Sequence, residues 1–230
     1  MLDELKKAVC HANLELVREG LVKQTFGNAS GIDRASGLVV IKPSGVDYGV
    51  MQPEDMVTVE LATGRVVDGK WRPSSDTATH LEIYRAFPAV GGVVHTHSRH
   101  ATAWAQVHRE IPAWGTTHAD FFEGPVPCTR ALREGEIRTD YELQTGRVIV
   151  ETFAGRDPMR CPAVLVWSHG PFAWGKDPAD AVHHAAALEY VAELATLSAT
   201  ISPRLEPMQG VLLEKHFSRK HGPSAYYGQR

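Results

Sequence analysis

The sequence predicts an α/β protein in which one central mixed, largely antiparallel sheet is sandwiched between helices. Three observations point there. Apolar runs of strand length come in bunches, at residues 38–41, 90–94 and 163–167. Stretches with helical apolar spacing, of very different lengths, lie between and around them. No run is followed by G-x-G-x-x-G, so nothing supports a dinucleotide-binding sheet.

The elements follow in order. Leu2, Leu5, Val9, Leu14 and Val17 alternate with Asp3, Glu4, Lys6 and Lys7. This is an amphipathic helix, not the apolar core of a signal peptide, and Gly20 caps its end. Short strands and turns come next: 27–31, 38–41, and a hairpin over 56–67 that turns at Ala62-Thr63-Gly64. Ser75 or Asp76 caps a helix that runs to Phe87, where Pro88 stops it. A buried strand leads to His97, and a helix follows over 98–107. After Pro112 the chain reads as loop. A helix is expected near 141–153, then the strand pair 163–167 and 171–174. Two helices, 178–200 and 206–219, finish the chain.

A length of 230 residues suits one domain, 1–230, with a full core. A hydrophobic content of 43% and a charged content of 22% are ordinary for a soluble protein. The net charge of −3 gives no electrostatic footprint for nucleic acid. No apolar stretch approaches the roughly 20 residues that span a membrane. Cys10, Cys128 and Cys161 are odd in number, far apart and without a C-x-x-C. They read as reduced, buried thiols, which predicts a cytoplasmic protein.

The chemistry concentrates in a few segments. His95-Thr96-His97 closes the run 90–94, and residues two apart on a strand point the same way. Ser168-His169-Gly170 follows the run 163–167, and Asp76 stands at a helix start. Asp76, His95, His97 and His169 are therefore candidate ligands for zinc, or for manganese, cobalt or nickel. His80, His100 and His108 fall on helices and read as ordinary surface or core residues. A second group suits an anion: Lys42-Pro43-Ser44-Gly45 after a strand, the small turn Gly27-Asn28, and Ser74-Ser75 at the positive end of a helix. Singly, each piece also has a plain structural reading, Ser75 as a helix cap and Lys42 as a solvated charge. Asp120, in a polar loop, and Tyr226-Tyr227, in a basic tail with His216, could carry protons, or serve only as a turn residue and a docking tail.

The segments 25–30, 41–48, 73–77, 94–102, 115–120 and 168–175, with tail residues Lys215-His216, Lys220-His221-Gly222 and 225–229, resemble the L-ribulose-5-phosphate 4-epimerases of the class II aldolase/adducin superfamily. The likeness covers nearly the whole chain. It implies a three-layer α/β/α fold and a homotetramer with active sites between subunits. It implies Zn2+ on Asp76, His95, His97 and His169, with Mn2+ as another candidate. It places the phosphate of a pentulose 5-phosphate on Asn28, Lys42, Ser44, Gly45, Ser74 and Ser75, with Gly27 in the same pocket. Asp120 and Tyr227 match the proton-transfer pair, Tyr227 coming from the adjacent subunit, and His216 matches a tail histidine near the site.

The implied reaction interconverts L-ribulose 5-phosphate and D-xylulose 5-phosphate, as in L-arabinose catabolism. The carbonyl is at C2, so the hydrogen on C4 is not acidic. Cleaving and re-forming C3–C4 avoids that obstacle, with one acid/base group for each face of the aldehyde. The nearest alternative is an aldolase of the L-fuculose-phosphate type, in which the residue matching Asp76 is a glutamate that acts as base. A non-catalytic adducin-like interaction domain is the other alternative, and it would need neither ligands nor proton carriers.

Overall fold

The computed structural model describes residues 2–222 and 225–227. Its elements are α1 (Leu2–Arg18), β1 (Asn28–Asp33), β2 (Leu38–Ile41), β3 (Val57–Glu60), β4 (Val66–Asp68), α2 (Thr77–Ala86), β5 (Gly92–His95), α3 (Arg99–Gln106), α4 (Thr116–Ala119), α5 (Glu134–Arg138), α6 (Tyr141–Thr152), β6 (Ala163–Leu165), β7 (Pro171–Gly175), α7 (Pro178–Ile201) and α8 (Gly210–Lys220). Gly228 and Gln229, part of the tail likeness, lie outside the described residues.

The seven strands form one sheet in the order β4-β3-β2-β1-β5-β7-β6, and every neighbouring pair is antiparallel. The expected helix-flanked, largely antiparallel sheet is present, and its pairing is antiparallel throughout. The helical crossovers from β4 to β5 and from β5 to β6 do return the chain to run parallel. Hairpin partners sit between those parallel strands: β3, β2 and β1 in the first case, β7 in the second. Among the described residues, the one parallel contact is an isolated bridge between Cys128 and Leu165.

Layering follows from the alternation of strand side chains. On β1, the Ser30 hydroxyl contacts His80 and Tyr84 of α2, at 2.7 and 2.8 Å. A Cβ on the next residue, Gly31, would strike Pro178 of α7 and Leu5 of α1. One face of the sheet therefore carries α2, with α6 against it, and the other carries α1 and α7. Phe87, Phe153 and Trp174 stack edge-on or tilted between α2, α6 and β7.

The differences from expectation lie where periodicity has too few turns to read. α4 and α5 fall in the stretch expected to be loop. α8 begins at Gly210 rather than 206, because Pro207 disfavours a helical residue before it. All three cysteines are free, Cys10 and Cys161 buried. Among the described residues, no helix is long and apolar enough to cross a membrane.

α7 enters across the start of β5. A Cβ on Gly92 would lie 2.4 Å from the Asp177 carbonyl carbon and 2.5 Å from the Pro178 nitrogen. Gly92→Ala is therefore expected to destabilise the protein by roughly 2–3 kcal/mol through overpacking. A denaturation midpoint indistinguishable from wild type would contradict this.

Candidate functional site

Three strands meet at the site. His95 ends β5, where it pairs with Asn28 on β1 and with Phe172 on β7. Its ring stacks on Phe172, centroids 4.2 Å apart. Its Nδ1–H donates to the Pro171 carbonyl at 2.9 Å, so the Nε2 lone pair faces away from the sheet. His97 lies two residues on, and the two Nε2 atoms are 3.1 Å apart. His169 arrives from the β6–β7 turn and shares a 3.3 Å hydrogen bond with the Tyr141 hydroxyl through Nδ1. Ligand nitrogens of all three histidines lie within 4.8 Å of one another.

The donor chemistry fits a divalent ion. Two donors about 2.0–2.1 Å from one tetrahedral ion stand about 3.3 Å apart, close to the observed Nε2 spacing. Burial pushes His169 down to about 4, with His95 and His97 adding to the effect, and burial also lowers His97. Both are thus neutral near pH 7, the form that binds metal.

Asp76 stands at the N-terminus of α2, but its side chain makes no capping bond. Its carboxylate accepts from the Asn28 amide at 2.6 Å. Burial raises this carboxyl, but His95, His80, Asn28 and His169 together hold it below its ordinary value. Asp76 lines the same cavity as the histidines, outside the close group of three nitrogens. Asn28 thereby acquires a contact that the sequence did not foretell, and its Oδ1 is buried with no partner.

The remaining anion candidates do come together. The bridge between Pro43 and Pro73 brings the turn after β2 beside the start of α2, with Ser44 N donating to Arg72 O and Ser74 N to Lys42 O. Gly27, Asn28, Lys42, Ser44, Gly45, Ser74 and Ser75 all line the histidine cavity, of about 410 Å³. Gly27 has φ +84°, and a Cβ there would meet Val22 and the His95 carbonyl. The Tyr48 hydroxyl donates to the Phe26 and Gly27 carbonyls and holds that turn. Lys42 is 2% exposed, and among the described residues its ammonium reaches only the Val46 and Pro43 carbonyls and the Tyr48 ring face. Burial lowers its pKa, while Asp47 opposes this.

Asp120, Tyr227 and His216 are elsewhere. None lines the cavity. The Asp120 carboxylate accepts from Arg219 at 2.7 and 2.9 Å, and from His216 Nδ1 at 3.1 Å, with Lys220 3.3 Å away. Burial raises Asp120, but the hydrogen bonds from Arg219, His216 and Lys220 outweigh it and leave the group below its ordinary value. Tyr227 lies under the same Arg219 and Lys220, 4.9 and 4.7 Å from its ring centre. Sequence reasoning missed Tyr141 and Glu142, which enter the cavity from the start of α6. No spacing in the chain ties them to the histidines.

Residues 7–196 match the class II aldolase and adducin N-terminal domain. The chain belongs to the class II aldolase and adducin family. Solved structures of the same fold include an L-fuculose 1-phosphate aldolase, 24% identical, covering 94% of this chain and 95% of that one, with TM-score 0.79. YgbL from Klebsiella pneumoniae, whose reaction is described only as aldolase/epimerase/decarboxylase, is 22% identical over 94% of this chain and 98% of its own, TM-score 0.73. The L-fuculose-1-phosphate aldolase of Thermus thermophilus is 24% identical over 89% and 100%, TM-score 0.68. The family match stops within α7, so α8 and the tail, with His216, Arg219 and Tyr227, lie beyond it.

His80, beneath the site, is fully buried and pushed down to about 3 by burial, with Asp76 opposing and His95 adding. Its ordinary value is 6.5, so on acidification the unfolded chain takes up the proton first. Stability from this group is complete above pH 6.5 and is lost as the pH falls toward 3, at up to about 1.4 kcal/mol per unit. The urea midpoint should be flat from pH 8 to 7 and fall below 6.5, less steeply in His80→Gln. Equal slopes for the two proteins would refute the assignment.

Proposed function

We propose that the protein is a metal-dependent L-ribulose-5-phosphate 4-epimerase. One observation carries the reading: three imidazoles converge in the cavity where a buried lysine has no carboxylate partner among the described residues. A buried, unneutralised ammonium is costly, and a substrate phosphate is the complement that would offset the cost. His95, His97 and His169 would hold the ion, Zn2+ or another divalent metal, with Asp76 as the adjoining fourth ligand. When bound, the ion supplies Lewis-acid stabilisation of the negative charge that forms as C3–C4 breaks.

This chain's own groups do the rest. The Lys42, Ser44 and Ser75 side chains and the N–H groups of Gly45 and Ser75 anchor the phosphate. A base takes the proton from the C4 hydroxyl, and the C3–C4 electron pair moves to C3, leaving the enediolate of dihydroxyacetone beside glycolaldehyde phosphate. The anchored aldehyde turns, the enediolate attacks its other face, and an acid returns the proton to oxygen. Asp76 separates this reading from an aldolase. It is a short side chain tied to Asn28, which restrains it from protonating the enediolate carbon.

Asp120 and Tyr227 are the proposed proton carriers. They lie off the cavity and share Arg219, which supports one neighbouring chain bringing both to the site within a homotetramer. Mixing Asp120→Asn chains with Tyr227→Phe chains should then restore no activity, because no hybrid contains a chain with both groups intact. Recovery in verified hybrids would show that the two come from different chains.

The activity itself is tested with a panel of pentulose 5-phosphates and L-fuculose 1-phosphate, before and after chelation. D-xylulose 5-phosphate should form from L-ribulose 5-phosphate only, and chelation should remove at least 99% of the rate, roughly the outcome expected when the main electrostatic stabiliser is lost. Faster cleavage of L-fuculose 1-phosphate would favour the aldolase, and no turnover of any sugar phosphate would favour an interaction domain.

A further inference from the structure

Two of the three non-glycine residues with left-handed backbone among the described residues are in contact. His108 has φ 61° and Ser168 has φ 58°. Such conformations are uncommon outside glycine and persist where the surroundings hold them. The His108 ring lies flat on Trp167, centroids 3.7 Å apart and planes 5° apart. Its Nε2 shares a 2.8 Å hydrogen bond with Ser168 Oγ. The backbones are joined as well, for His108 N and Ser168 N both donate to Ala105 O in α3, at 3.2 and 3.1 Å.

Trp167 and Ser168 immediately precede His169. The turn they begin closes on itself, with His169 N donating to Val166 O and Val166 N to Gly170 O. At its far side a Cβ on Gly170 would stand 2.9 Å from the Thr96 carbonyl. α3 starts two residues after His97. One end of this helix therefore continues from His97, and the other end grips the turn that carries His169.

We propose that His108 is a positioning residue for His169. Resting on the metal reading above, it pins Trp167 and Ser168 to the end of α3 and so fixes the turn that presents His169 to His95 and His97. His108 does not line the cavity, so its effect passes only through this turn. Without the clamp, the three nitrogens gather for a smaller fraction of the time, and metal affinity falls by that fraction.

The test titrates Zn2+ into metal-free, full-length protein against a competing chromophoric chelator. Wild type should bind one zinc per chain. His108→Ala should bind about tenfold more weakly, the low end for groups behind a ligand. Ser168→Gly removes the hydroxyl and relieves the left-handed backbone, and should weaken zinc by a similar factor without lowering the unfolding temperature of the metal-free protein. The double variant should be no weaker than the worse single, because both remove one contact. A purely structural role would lower unfolding temperature and leave zinc affinity unchanged, and that result overturns the proposal while leaving the metal reading intact. Additive losses in the double variant overturn it too. If His108→Ala fails to fold, wild-type affinity in Ser168→Gly is decisive against the clamp. Wild type that binds no zinc overturns both the clamp and the metal reading.

Discussion

The site depends on the register in which β1, β5 and β7 pair around His95. Asn28 and Phe172 stand opposite His95 on either side. Strand side chains alternate, so a slip of one residue would turn His95 and Asn28 to the other face together. Ser30 would then lose His80 and Tyr84, and Gly31 would no longer leave room for Pro178. Burial on both faces makes that slip costly, and the same burial fixes the direction in which His95 points. Its hydrogen bond to the Pro171 carbonyl adds the tautomer. Sheet stability and the chemistry of the site are thus one constraint.

Around this frame the charges are arranged at a cost. Lys42 is buried with carbonyls and the Tyr48 ring face as its contacts, and Asp76 is held by an amide among imidazoles. Neither arrangement is favourable in isolation, since a buried charge without a counter-charge loses solvation that hydrogen bonds only partly replace. The two lie at the same cavity, a cation where an anion fits and an anion where a cation fits. A ligand set of opposite polarity, a divalent ion and a phosphate, complements both.

The acidic and basic groups around Asp120 follow a different logic. Arg219, Lys220 and His216 surround its carboxylate, and Tyr227 covers Arg219 and Lys220. This cluster joins α4 to α8, beyond the limit of the family match. It is held by its own ion pairs and, among the described residues, does not line the histidine cavity, so any part it plays there comes through assembly.

The sequence by itself determined much of the site. The period-two spacing of His95 and His97 at the end of a buried run pointed both rings to one side, and they do meet there although β5 itself ends at His95. Apolar periodicity likewise placed the long helices and the strand pair around His169. The likeness to a family then joined segments far apart in the chain. What only the tertiary structure decided depends on contacts between distant residues. These are the fully antiparallel order of the sheet, the bond from Asn28 to Asp76, the entry of Tyr141 and Glu142, and the separation of Asp120 and Tyr227 from the histidines. Local spacing constrains direction within an element, while the meeting of two elements depends on the packing of the whole core, which no short window of residues encodes.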